Sequence, residues 1–306
     1  MVRRRWFATV WVSLVSVLGC GGGSSVSIDE FQSQALDALC GRAVRCGQYP
    51  DLAACDGATF SKLQVISDVQ AGVTRYDGKE AASCLAALRT SACTNSQLSV
   101  LADSCNSVFQ GTRAAGASCF IDEECASGNC NTTTCLGTAN CCAGQCEATV
   151  PVGGDCSAAG AACVDSAFCM TGASPATCVA RIAIGQPCVG FDVCVVGALC
   201  QADPATGAMT CKTPPAQGQP CTTFCDDSRN YCDPTSGTCV PRLALGATCS
   251  ASSSGCVVYA NCTGTPPTCV TRSSVGGPCS SPIDCIGGIS CPNGVCVGEP
   301  DVPACM

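Results

Sequence analysis

GQPCVGFDVCVVGALCQADPATGAMTC, residues 185–211, and GATCSASSSGCVVYANCTGTPPTC, residues 246–269, follow one pattern: a glycine, two residues, a cysteine, then three further cysteines at similar intervals. The opening recurs as GASC at 116, GGDC at 153, GQPC at 185 and 218, GATC at 246 and GGPC at 276. The opening cysteines Cys119, Cys156, Cys188, Cys221, Cys249 and Cys279 are separated by 37, 32, 33, 28 and 30 residues. The joints repeat as well, ArgIleAlaIleGly from 181, ArgLeuAlaLeuGly from 242 and ArgSerSerValGly from 272. Self-similarity at a near-constant period is the signature of an array. It divides residues 116–306 into six units, 116–150, 153–180, 185–213, 218–241, 246–271 and 276–306.

Cysteine, not burial, holds such a unit together. Of 306 residues 35 are cysteine, and 28 of these lie after residue 115. Large apolar side chains are sparse there, too few for a domain of this size to rest on a hydrophobic core. The mean hydropathy of +0.30 reflects cysteine and alanine. A composition this rich in cysteine marks a disulfide scaffold from an oxidising compartment. The fold class expected is therefore small disulfide-rich repeats, with little regular structure beyond short β-hairpins, preceded by a small α-helical disulfide-linked domain.

The cysteines assigned to disulfides in the units are Cys119, Cys125, Cys130 and Cys135; Cys156, Cys163, Cys169 and Cys178; Cys188, Cys194, Cys200 and Cys211; Cys221, Cys225, Cys232 and Cys239; Cys249, Cys256, Cys262 and Cys269; and Cys279, Cys285, Cys291 and Cys296. Four cysteines allow three pairings; first-to-third with second-to-fourth is adopted as the expectation. Cys141, Cys142, Cys146 and Cys305 fall outside the rule, the first three in a CCAGQC insert that lengthens the first period. The glycine before each opening cysteine is expected to supply a turn of positive φ.

Residues 28–112 have different physics. Ser27 with Glu30 reads as a capping-box start, and Ile28, Phe31, Ala35, Leu39 and Ala43 recur at helical spacing. A second helix is expected over 59–72, with Phe60, Leu63, Ile66 and Val69 inward. A third begins near Asp77, with Ala81, Cys84, Leu85 and Leu88 as its stripe, and a fourth spans 96–109 through Leu98, Leu101, Cys105 and Val108. Cys40, Cys46, Cys55, Cys84, Cys93 and Cys105 suffice for three disulfides in any of 15 connectivities.

The amino terminus, MVRRRWFATVWVSLVSVLGC, has a cationic start and an apolar run from Trp6 to Leu18. The run is shorter than the roughly 20 residues of a membrane-spanning helix and reads as a secretory signal over 1–19. Val17-Leu18-Gly19-Cys20 resembles a bacterial lipobox. That resemblance implies lipid transfer to the Cys20 sulfur and cleavage before it, leaving residues 20–27 as a lipidated cysteine and flexible tether. Removing Cys20 leaves an even 34 cysteines. Gly21, where aspartate would retain a lipoprotein at the inner membrane, implies the outer membrane or cell surface. Arg4-Arg5-Trp6-Phe7 also fits the core of a twin-arginine signal, although a chain oxidised after export suits the general secretory route better.

The stretch CFIDEECASGNCNTTTCLGTANCCAGQC, 119–146, resembles the N-terminal cysteine-rich region of Dickkopf-type secreted proteins in its acid before the second cysteine, its Gly-x-Cys step and its paired cysteines. With the lipobox and helical segment, the whole chain resembles the cysteine-rich repeat lipoproteins of myxobacterial-type genomes. No functional residue transfers through either resemblance.

Several chemistries have no residues to carry them. The chain contains no histidine, which excludes Ser-His-Asp and Cys-His catalysis and histidine-ligated metal. No Cys-x-x-Cys pairs occur to suggest zinc, and no phosphate loop or calcium loop appears, so no catalytic residue, metal or cofactor is assigned. Asp122-Glu123-Glu124 and Asp226-Asp227 are the densest acids and read as solvated loops. Asn131-Thr132-Thr133 and Asn261-Cys262-Thr263 match the glycosylation pattern, by accident in a bacterial chain. Without residues 1–19 the chain has 12 basic against 23 acidic residues, which disfavours nucleic acid as a partner. The function expected is a non-enzymatic surface lipoprotein, a rod of stapled units for adhesion or recognition. Its partners would be the membrane, through the lipid anchor, and an extracellular or envelope protein or glycan. A discrete binding module for a peptide or glycan and a protease inhibitor are the alternatives.

Overall fold

The computed structural model describes residues 25–58, 64–94, 97, 101, 104–133, 142–172, 174–190, 193–203, 206–250 and 255–298. The signal segment, Cys20, Phe60, Leu63, Leu98, Cys135, Cys141 and Cys305 lie outside these residues.

The amino-terminal domain is helical. Helix α1 (Ile28–Arg45) starts at Ser27, whose carbonyl accepts from the N–H groups of Glu30 and Phe31; its hydroxyl makes no cap bond, so the capping box does not form. Helices α2 (Leu52–Ala58) and α3 (Gln64–Gln70) follow, then strand β1 (Thr74–Tyr76) and helix α4 (Gly78–Thr90). Asp77 caps α4 by accepting from the N–H groups of Lys79 and Glu80. Strand β2 (Phe109–Gly111) pairs antiparallel with β1, an element the helical pattern did not announce. Phe31, Ala35 and Ala38 of α1 pack on Ala81, Cys84, Leu85 and Leu88 of α4, with Leu101 and Val108 completing the core. The rings of Phe31, Tyr76 and Phe109 pack within 5.4–5.7 Å of one another, two of the three contacts edge-on, an arrangement that adds to their area burial.

Two stripes are corrected. Leu39 is exposed, because Ala38 and Cys40 take the inward positions on α1. On α3 the buried residues are Val65 and Asp68, not Ile66 and Val69. Three disulfides, Cys40–Cys55, Cys46–Cys93 and Cys84–Cys105, tie α1 to α2, the end of α1 to the segment after α4, and α4 to the chain before β2.

The array consists of repeated hairpins. Strands β3 (Ser118–Cys119), β4 (Cys130–Asn131) and β5 (Gly144–Cys146) form the first sheet, in the order β3-β5-β4. Two-stranded hairpins follow: β6 (Ala167–Met170) with β7 (Thr177–Ala180), β8 (Leu199–Ala202) with β9 (Met209–Lys212), β10 (Asn230–Asp233) with β11 (Thr238–Pro241), and β12 (Ala260–Thr263) with β13 (Thr268–Thr271). In these four hairpins the third and fourth cysteines of the unit face each other across the ladder, as Cys169 faces Cys178 and Cys262 faces Cys269. Cross-strand partners share a face, so both sulfurs point to one side. There the two incoming cysteines meet them.

The pairing is first-to-third and second-to-fourth in units two to six: Cys156–Cys169 with Cys163–Cys178, Cys188–Cys200 with Cys194–Cys211, Cys221–Cys232 with Cys225–Cys239, Cys249–Cys262 with Cys256–Cys269, and Cys279–Cys291 with Cys285–Cys296. Unit one has Cys119–Cys130 and Cys125–Cys146. The assignment of Cys135 as its fourth cysteine is thereby corrected. Cys146 faces Cys130 across β4 and β5, the place the fourth cysteine holds elsewhere, and the segment with Cys135 is an insertion into the hairpin. Cys142 is itself disulfide-bonded.

Each opening glycine performs the same task. Gly116, Gly153, Gly185, Gly218, Gly246 and Gly276 all have φ between 79° and 87°. Each donates its N–H to the carbonyl of the fourth cysteine, over 2.7–2.8 Å, with Cys146 again the fourth in unit one. A side chain at this φ would crowd the backbone, so glycine is required.

The array does not extend as a rod. Thr94 bridges to Asp227 in unit four. Ser228 donates its N–H to the Cys93 carbonyl (3.2 Å) and its hydroxyl to the Cys46 carbonyl (3.1 Å). The Tyr49 hydroxyl approaches Gly287 in unit six so closely that a Cβ there would lie 2.6 Å from it. Units four and six thus return onto the helical domain, an outcome that per-unit spacing could not signal.

Candidate functional site

The interior of a unit is mostly cysteine, joined by a few aliphatics such as Val193, Ala198 and Ile286. In unit one the core is Cys119, Cys125, Cys130 and Cys146 alone. In units two to five the sulfurs of the first, second and fourth cysteines lie within 4.8 Å of one another, a spacing that would also suit a metal. Each of these sulfurs is bound to another sulfur, so the triads are cores and not thiolate ligand sets.

What distinguishes one unit from another lies at the joints. The residue three before the opening glycine bridges in parallel to the second cysteine, as Val150 to Cys163, Ile182 to Cys194 and Leu243 to Cys256. At the joint into unit four this position is Pro215, which has no N–H and only accepts, from Asp226. One residue earlier stands Arg181, Arg242 or Arg272. Arg181 donates Nε to the Asp165 carbonyl (2.9 Å) and Nη1 to the Cys194 carbonyl (3.3 Å). Arg242 donates Nε to the Ser228 carbonyl (2.8 Å) and Nη1 to the Cys256 carbonyl (3.1 Å). Each guanidinium therefore staples two consecutive units through their main chains. Burial lowers the pKa of Arg242, with the Arg272 charge acting in the same direction. The group remains cationic, since arginine is not deprotonated in proteins. These three arginines were legible only as a repeated joint residue; their contacts were not.

The acids are partly structural, which corrects the reading of them as solvated loops. Glu124 is 1% exposed, accepts from the Phe120 N–H (3.0 Å) and lies 3.6 Å from the Arg113 guanidinium. Asp122 accepts from the Cys130 N–H. Asp284, the equivalent acid before the second cysteine of unit six, accepts from the N–H groups of Ser280 and Ser281 and from the Ser280 hydroxyl. In both end units the acid thus closes a 3-10 turn, Asp122–Glu124 or Pro282–Asp284. Asp227 pairs with Arg229 at 2.5 Å beside the seam with the helical domain. Burial there pushes the Asp227 carboxyl up, but hydrogen bonds from Arg229 and its charge outweigh it and leave the pKa below the ordinary value.

Two clefts open at unit boundaries. One of about 610 Å³ lies between β2 and unit one, lined by Phe109, Gln110, Asp122, Glu123 and Ser127, with Asp165 of unit two at its edge. The other, about 340 Å³, lies between units five and six, with Arg272 and Asp284 in its wall.

A third feature repeats. The residue just before the opening glycine occupies the second position of a four-residue turn, closed for instance by Gly154 N–H to Pro151 carbonyl and Gly277 N–H to Ser274 carbonyl. Glycine at the third position is what a type II turn requires. In four units the second position holds an aliphatic side chain in water: Val152 54% exposed, Ile184 55%, Leu245 45% and Val275 43%. None of these was singled out from sequence, although the pattern before each glycine was readable.

No family model, curated protein or solved structure matches this chain. Among the described residues no helix is long and apolar enough to cross a membrane. The density of disulfides marks the chain as an extracellular or exported protein.

Proposed function

We propose that the protein is a non-enzymatic recognition scaffold, exported and tethered through lipidated Cys20, that displays repeated contact points on units held by disulfides. Its relation to cysteine-rich bacterial repeat lipoproteins belongs to the same proposal. The observation that carries the reading is the recurrence of exposed Val152, Ile184, Leu245 and Val275 at one register of the repeat. Single exposed aliphatics are ordinary; the same position exposed in four units, on turns otherwise fixed by glycine and backbone bonds, is a display. In units two to six the four cysteines of each unit are consumed as disulfides and supply no free thiol as a nucleophile.

The test uses the oxidised chain from Gly21 onward, binding to intact bacterial envelopes. Saturable binding that falls stepwise as the four aliphatics are changed to serine supports a repeated display. Abolition by a single change supports a discrete module. Absence of saturable binding, or binding untouched by the fourfold change, refutes the reading. Anchoring is read separately: metabolic fatty-acid label should enter the wild-type chain and not Cys20→Ala.

A further inference from the structure

The three joint arginines do not behave alike. Arg181 and Arg242 use Nη1 to bind the carbonyl of the second cysteine of the next unit. Arg272 makes no such bond to Cys285. Its Nε is held by the Asn261 side-chain oxygen at 2.9 Å, and Asn261 in turn donates to the Ile283 carbonyl, which fixes the plane of the guanidinium. Both Nη groups are left without a protein partner among the described residues. Arg272 is half-buried and lines the cleft between units five and six.

The rest of the wall is as specific. Asp284 lies in the same cleft, yet no ion pair joins it to Arg272, so their charged atoms are more than 4.0 Å apart. Its Oδ2 is taken by Ser280 and Ser281, and Oδ1 has no partner. Thr263 and Thr271 also contribute to the wall, and Val270 supplies a small apolar patch. No aromatic ring contributes to the wall.

We propose that this cleft binds an α-acylamino carboxylate, the chemistry of a peptide's carboxy-terminal residue. Two parallel Nη donors fit the two oxygens of one carboxylate, and Asp284 Oδ1 accepts from the N–H on the adjacent carbon. The Asp284 charge disfavours a dianion such as phosphate. Absence of an aromatic platform disfavours a sugar, and exposed Val270 suits an apolar side chain. The inference is independent of how the chain is attached to the cell and of the exposed turn residues.

The experiment titrates the oxidised chain with N-acetyl-L-alanine while following the Arg272 side-chain and Ser273 amide NMR signals. N-acetyl-L-alaninamide, D-glucuronate and inorganic phosphate serve as the other arms. Saturable shifts with the carboxylate are expected, at least tenfold weaker with the other three. Arg272→Gln should weaken binding at least tenfold, about 1.4 kcal/mol, and Arg272→Lys less. Arg181→Gln, outside the cleft, should leave binding unchanged. In each variant the Cys249–Cys262 and Cys279–Cys291 linkages are verified by peptide mapping, and Thr263→Val, which touches no joint bond, gives a second perturbation of the wall. No saturable shift, equal shifts with the amide, tighter binding of glucuronate or phosphate, or unchanged affinity in Arg272→Gln would each overturn the proposal.

Discussion

Replacing Arg242 by methionine isolates what the joint arginine contributes. Methionine keeps the apolar stem and removes the guanidinium, so the carbonyls of Ser228 and Cys256 lose donors at 2.8 and 3.1 Å. A hydrogen bond to a charged group contributes about 1.5–3 kcal/mol. The joint is half-open to water, so the lower end applies to each, giving about 3 kcal/mol for the pair. Disulfides on both sides keep each unit folded, so this loss appears as local opening of the joint between units four and five, not as global unfolding. The reporters are the amides of Leu243, which donates to Gly255, and Val257, which donates to Leu243. About 3 kcal/mol corresponds to hydrogen exchange roughly 100-fold faster at both. Arg242→Lys, able to serve one carbonyl at a time, should accelerate exchange about tenfold. Acceleration below about threefold at Leu243 and Val257 in the methionine variant, or equal acceleration at Ile182 in the untouched joint of Arg181, would refute the staple.

Three further outcomes follow from the same geometry. Asp227 has a depressed native pKa, so its stabilisation of the seam is complete above the ordinary aspartate value near 3.8 and is lost as pH falls below it; the Ser228 amide should lose exchange protection there, and Asp227→Asn should show the loss already at neutral pH. Gly246→Ala meets open space at Cβ but a φ of +79°, so it should cost about 1–2 kcal/mol from backbone strain alone, read as a lowered midpoint for exchange of the Gly246-to-Cys269 bond. On full reduction the amides of β6 to β13 should lose protection together, while α1 and α4 keep more of theirs, because Phe31, Leu85, Leu88 and Val108 form a carbon core larger than any in the units, whose buried residues are mostly cysteine; two-dimensional NMR in strong reductant decides it.

The spacing of glycines and cysteines carried most of the architecture. The positive-φ turn expected before each opening cysteine appears in all six units, and the expected short hairpins appear in units two to five, with a three-stranded sheet in unit one. Cys135 misled because the rule counts cysteines in order, whereas the fourth place is defined by facing the third across a ladder, and an insertion moves that place to Cys146. Leu39 misled because Ala38 and Cys40 face inward on α1, where Cys40 is tied to Cys55 of α2; hydrophobic size alone does not report that. The burial of Glu124 depends on Arg113 and on a turn whose N–H groups need an acceptor, a demand invisible in one dimension. Least legible was the return of units four and six onto the helical domain, which rests on the main-chain carbonyls of Cys46 and Cys93 meeting Ser228 and on Tyr49 meeting Gly287. For the candidate cleft, sequence supplied Arg272 as a joint residue, but only the fold brings Asp284 into the same wall.

The claim on which all of this stands is that covalent sulfur pairs, in one repeated connectivity, shape the array. Proteolysis of the native chain without reduction, with the linked peptides identified by mass spectrometry, tests it directly. The account predicts Cys249 joined to Cys262 and Cys256 to Cys269, the same alternation in the other units, and Cys125 joined to Cys146. Free thiols throughout the units, or neighbouring cysteines joined as Cys249 to Cys256, would contradict it.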